Sequence, residues 1–162
     1  MTEVGRPGIL VLFGMLLSVA AGGGLSTQPA DTKSIEDAVL AVSAEMTKAG
    51  EAADADRLFS YMLDTDKGSV IQNGVLLATR QEALERVRNN LSRASKIQYR
   101  WKRQYVTVLS PEVAVLVAEG ESMATMAGGD TFTVPFAQTV VFARKAGSWK
   151  AIHAHQSSPL AR

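Results

Sequence analysis

The sequence predicts an α+β domain, with helices first and an antiparallel sheet after them. Three observations carry this. Apolar residues recur at helical spacing before residue 95 (Ile35, Val39, Val42, Met46; then Ala83, Leu84, Val87, Leu91). Asn73-Gly74 joins two short apolar runs, which marks a hairpin with a type I′ turn. Residues 97–156 read in period two or as apolar runs between turn residues, with no room for helices. A doubly wound sheet needs helices between its strands, so that alternative fails.

Each element has its own signal. Ser34-x-x-Asp37 resembles a capping box and predicts a helix from Ser34 to about Gly50. Asp54 or Asp56 caps a short second helix carrying Leu58, Phe59, Tyr61 and Met62. Ser69–Gln72 and Val75–Ala78 form the hairpin. Thr79-x-x-Glu82 is a full capping box and starts a third helix, predicted to reach about Ser95. In the strand 97–109, Ile97, Tyr99, Trp101, Arg103 and Tyr105 fall on one side. Ser110-Pro111 turns the chain, and Val113–Ala118 is apolar on both faces, as in a strand covered twice. Gly128-Gly129-Asp130 and Ala146-Gly147 separate the last strands, 131–144 and 149–156.

The 162 residues suit one domain plus a leader, and 46% hydrophobic residues are enough for a core. A net charge of +1 gives no global pull toward nucleic acid or an anionic membrane. The absence of Cys excludes disulfides, thiolate metal sites, a Cys nucleophile and a lipidated Cys. Arg6 followed by the uncharged run Ile9–Ala21 and Gly22-Gly23-Gly24 reads as a secretory signal peptide. The run is shorter than the roughly 20 apolar residues of a spanning helix, so stable membrane insertion is not expected. The alternative is an anchor formed by an uncleaved leader. The expected organisation is a signal peptide (1–25), a linker (26–33), the domain (34–158) and a tail (159–162). The expected destination is the periplasm or the exterior.

This element order ends in Trp149-Lys150-Ala151-Ile152-His153-Ala154-His155-Gln156-Ser157, and it resembles the nuclear transport factor 2-like superfamily. Its SnoaL-like and calcium/calmodulin-dependent kinase association-domain-like branches look nearest. The resemblance spans about residues 34–158. It implies a curved antiparallel sheet wrapped by three helices into a cone, a small molecule in the cone, and a homodimer through the outer sheet face. The superfamily also includes ketosteroid isomerase, whose chemistry uses a carboxylate base and an oxyanion hole of Tyr and protonated Asp. By approximate alignment these positions fall at Gln72 or Asn73, near Met46, and near Ala137. None of these side chains can do that work, so this isomerisation is not expected.

Four titratable residues are the catalytic candidates. His153 and His155 share one face of a strand, and so do Glu119 and Glu121. Two histidines without a defined third ligand do not make a metal site, and none is expected. Paired carboxylates do acid–base work only where burial shifts one of them. Eight bases lie within residues 80–103, among them Arg80, Arg88, Arg100, Lys102 and Arg103, with Tyr99, Trp101 and Tyr105 interleaved. That pattern suits nucleic acid or a small anion, but the leader argues against nucleic acid and the plainer reading is a solvated face. Tyr61, Gln72, Tyr99, Trp101 and Gln138 are the expected ligand contacts, and Tyr105 is placed with the aromatics near the cone mouth. The leading expectation is an exported binding or accessory protein without a cofactor. The alternatives are an isomerase, cyclase or hydrolase acting on a small apolar molecule, and an assembly module without a ligand.

Overall fold

The computed structural model describes residues 31–65 and 67–159. The predicted signal peptide and most of the linker lie outside the described residues. Three helices, α1 (Thr32–Glu51), α2 (Ala55–Ser60) and α3 (Arg80–Leu91), accompany six strands. The strands are β1 (Val70–Gln72), β2 (Val75–Leu77), β3 (Ala94–Ser110), β4 (Val113–Met126), β5 (Thr131–Lys145) and β6 (Ser148–Ser157). They form one sheet in the order β2-β1-β6-β5-β4-β3. The α+β expectation stands, with one correction: the sheet is mixed, because β1 runs parallel to β6. A parallel pair needs a long crossover. Here α3 and the β3–β5 meander supply it, and the hairpin docks on the one free edge of β6.

The caps explain where the helices begin and end. α1 starts two residues earlier than expected, because Asp31 rather than Ser34 is its N-cap and accepts from the Lys33 amide at 3.2 Å. Its end is not set by Gly50. Ala53 adopts φ 56°, and the Asp54 and Ala53 amides donate to the carbonyls of Ala49 (2.9 Å) and Gly50 (3.0 Å). That is a Schellman motif, with Ala53 in the position usually given to glycine. The Thr79–Glu82 capping box forms as expected. α3 stops at Leu91 rather than Ser95 because β3 begins at Ala94. Asn73 and Gly74 (φ 49° and 81°) make the type I′ turn, and Ala146-Gly147 repeats it with the same angles.

The core lies between the helices and one face of the sheet. Val39, Phe59, Leu116 and Phe142 are fully buried in it. Burying side chains of this size contributes about 1.5–3 kcal/mol each. On β4, Ala114, Leu116, Ala118 and Gly120 face inward and Val113, Val115, Val117, Glu119 and Glu121 face outward.

A bulge changes the parity of β3. Ile97, Tyr99 and Trp101 face inward, opposite Ala124, Ser122 and Gly120. The register then shifts between Trp101 and Arg103. Beyond it Gln104, Val106 and Val108 take the inward positions opposite Ala118, Leu116 and Ala114. Arg103 and Tyr105 therefore turn outward, and Tyr105 is 61% exposed. The expectation that both share the face of Tyr99 and Trp101 is corrected.

Candidate functional site

A cavity of about 230 Å³ opens between the helices and the inner face of the sheet. Inward alternation on the strands builds one wall. It puts Val70 and Gln72 of β1, Ala154 and Gln156 of β6, and Phe136, Gln138, Val140 and Phe142 of β5 on the lining. β3 adds Tyr99 and Trp101 ahead of the bulge. α1 closes the other side with Ser43, Met46, Thr47 and Gly50, and α2 and α3 add Leu58, Phe59, Val87, Asn90 and Leu91.

Three aromatics form one corner. The Tyr99 and Trp101 rings are near parallel (17°, centroids 6.5 Å apart). Phe136 meets both edge-on, at 6.1 and 5.3 Å. Such geometries follow from the ring quadrupoles. The Trp101 indole donates to Thr47 Oγ1 at 3.2 Å, which ties the corner to α1. Gly50 makes room for it: a Cβ there would lie 3.1 Å from the Tyr99 ring. Burial pushes the Tyr99 phenol above its ordinary pKa, and the charge of Glu51 adds to the shift.

Beside this corner, on the same sheet wall, lies a polar row. Gln72, Gln156 and Gln138 occupy register-matched inward positions on three adjacent strands. Gln72 Nε2 donates to Gln156 Oε1 at 2.8 Å. Among the described residues the cavity lining holds no carboxylate, ammonium, guanidinium or imidazole.

Of the expected ligand contacts, Gln72, Tyr99, Trp101 and Gln138 meet in this cavity. Tyr61 does not. It follows α2, and its ring sits beneath Lys150 Nζ at 5.7 Å. Sequence reasoning missed Phe136 and Gln156. Both were legible by alternation, two residues from the inward Gln138 and Ala154. Of the isomerase positions, Met46 and Gln72 do line the cavity. Ala137 faces outward between the inward Phe136 and Gln138. Asn73 lies in the turn, and its Oδ1 accepts from the Ser158 amide at 2.9 Å.

The titratable candidates all lie on the other face. His153 and His155 point outward, in cross-strand rows with Val141 and Thr139. His153 Nδ1–H donates to the Gly68 carbonyl at 2.6 Å, and His155 is exposed. No cluster of three metal-binding side chains occurs among the described residues. Glu119 pairs with Arg103 at 2.9 Å, and Glu121 with Lys102 at 2.7 Å and with Arg100. These bases hold both carboxyls below the usual range, Glu121 at about 2. Such carboxylates are poor proton acceptors at neutral pH. The basic segment is largely engaged within the fold: Arg88 also pairs with Asp56 (2.7 Å), and Arg80 donates to the Phe59 carbonyl (2.7 Å).

A second hollow, about 420 Å³, lies on the outer side between Lys102, Glu119, Pro135 and the segment Ser157–Pro159.

Comparison with known proteins agrees with this architecture. The family described as the SnoaL-like domain matches residues 39–161. No curated protein matches the chain. Among solved structures, a proposed dehydratase of the nuclear transport factor 2-like family from Streptomyces avermitilis superposes with a TM-score of 0.72 at 22% identity. The match covers 81% of this chain and 100% of that one. A nuclear transport factor 2-like superfamily protein from Salmonella enterica serovar Typhimurium gives 0.73 at 15% identity, over 81% and 95% of the two chains. The hexachlorocyclohexane dehydrochlorinase LinA-type3 from Novosphingobium barchaimii gives 0.62 at 14% identity, over 75% and 84%. At these identities the likeness is one of fold.

Proposed function

We propose a function from one premise: the chain belongs to the SnoaL-like domain family. Its inner cavity binds a small, mostly apolar molecule, and the protein acts as a binding or accessory domain. The observation that carries this reading is the lining itself. An aromatic corner lies beside a row of amides, and the described lining has no charged group to act as general base. Two of the structural neighbours are described as a proposed dehydratase and a dehydrochlorinase, and elimination of that kind needs a proton acceptor at the substrate. Here the titratable candidates sit across the sheet from the cavity.

We further propose that the protein is exported and that it dimerises through the outer sheet face. The leader from Arg6 to Gly24 supports export. Support for the dimer comes from the outward row of Tyr105, Val117 and Thr139, with Val115 and Val141 beside it. Val117 is 49% exposed there, although valine is a residue that favours burial.

Native mass spectrometry of protein from a secretion-competent host tests these readings together. The expected result is a dimer, a start between about residues 21 and 30, and a retained small molecule or uptake of an added apolar one. A protein that takes up no apolar probe overturns the binding reading. A monomer at micromolar concentration overturns the dimer, and an intact leader overturns cleavage.

A further inference from the structure

Resting on the proposal that the cavity binds a ligand, we infer its chemical class: an uncharged molecule of one or two rings carrying a secondary-amide (lactam) edge.

The polar row sets the edge. Gln72, Gln156 and Gln138 stand side by side on β1, β6 and β5, about 4.8 Å apart as neighbouring strands are. The Gln72–Gln156 bond uses one N–H and one oxygen lone pair. Each carboxamide offers two N–H donors and two acceptor sites, so most of the row's capacity is left open. Gln138 is half-buried, lines the cavity and bonds to no described side chain. A ligand that pairs with these open groups is favoured over one that covers them and leaves them unpaired. A carboxamide edge carries a donor beside an acceptor in one plane. Its complement is another such edge, joined by two parallel hydrogen bonds. Exchanging the amide N and O of the glutamine leaves that match intact.

The rest of the lining sets shape and charge. Trp101, Tyr99 and Phe136 offer ring faces, and the indole N–H is already committed to Thr47. This suits a flat ring. A carboxylate or ammonium ligand would be desolvated with no counter-charge among the described lining residues, at high cost. A cavity of about 150 Å³ holds benzene. The 230 Å³ here therefore fits one or two rings.

The test uses three probes of like size on the purified protein: naphthalene, 2-quinolone and N-methyl-2-quinolone. Methylation removes the amide donor and keeps the ring, the carbonyl and the neutrality. Calorimetry or quenching of Trp101 reads the affinities. 2-Quinolone is expected to bind about tenfold tighter than its N-methyl derivative, the effect of losing one buried hydrogen bond. Gln138→Leu is expected to remove that difference. The wild-type comparison stands alone if the variant does not fold. Equal binding of the two quinolones, with naphthalene bound, overturns the lactam assignment and leaves the binding cavity standing. Failure of all three probes to bind overturns the binding reading and the inference together.

Discussion

Gly120→Ala tests whether the β3 bulge and the aromatic corner depend on one missing side chain. Gly120 lies inward on β4, directly opposite Trp101. A Cβ built there falls 2.6 Å from the Arg100 carbonyl oxygen and 3.3 Å from Trp101 Cα. A close C···O approach is about 3.3 Å, so the overlap is about 0.7 Å and the obstacle is backbone. A side chain could rotate aside, but here β3 and β4 must separate. Overpacking of this kind costs about 1–3 kcal/mol, and one or two weakened ladder bonds add about 1 kcal/mol each. The lower entropy of the unfolded alanine chain returns about 0.4–1 kcal/mol. The net expectation is a loss of about 1–4.5 kcal/mol. Urea unfolding followed by tryptophan fluorescence should show it as a midpoint about 0.5–2 M lower, at a slope of about 2 kcal/mol/M for a small domain. Gly128→Ala is the control, because a Cβ there has nothing within 4 Å. If Gly120→Ala unfolds within about 0.3 M of the wild type, the steric account of the bulge is wrong.

Three further outcomes are expected. Gly50→Ala gains about 1 kcal/mol of helix propensity but presses its methyl on the Tyr99 ring at 3.1 Å, so stability should change little while apolar probes bind more weakly; calorimetry showing unchanged affinity would count against it. Glu121 has a folded pKa of about 2 against a usual 4.5, so its ion pairs stabilise the fold above the usual value and this is lost as pH falls toward 2. Glu121→Gln should flatten the fall in urea midpoint between pH 5 and 2.5, and identical slopes in both proteins would exclude the effect. Val117→Lys places a charge in the centre of the proposed dimer face, and sedimentation should shift toward monomer without loss of the fold; an unchanged dimer would move the interface elsewhere.

Most of the architecture was legible because local rules and packing agree along the chain. The Thr79–Glu82 box and the Asn73-Gly74 turn each satisfy a stereochemical demand within four residues, and both form as read. What escaped reading depends on partners distant in sequence. The parity change after Trp101 lies opposite Gly120, nineteen positions on, and no pattern within β3 announces it. Gly50 looks like a helix stop, yet it serves the Tyr99 ring, and Ala53 takes the left-handed position instead. Tyr99 and Trp101 were placed in the cavity by the alternation along β3, whereas the same signal on β5 and β6 was not followed to Phe136 and Gln156. Tyr61 was misplaced because a residue at the end of a six-residue helix has too short a period to assign a face.

The parallel pairing of Val70 with Ala154 has a kinetic side. Among the described residues, hairpin β1–β2 finds its other strand neighbour in β6, the last of the described strands to be made. An isolated two-stranded hairpin is marginal in water. Closing so long a loop carries an entropy cost that grows with the logarithm of its length. The three-stranded meander β3–β5 closes only short loops and can assemble early. The Gln72–Gln156 bond then forms among the final events of folding. A chain stalled before residue 148 would therefore carry much of the sheet, with Gln138 in place on β5 but neither Gln156 nor the Gln72–Gln156 bond, and binding competence would report completion of the fold more sharply than secondary structure does.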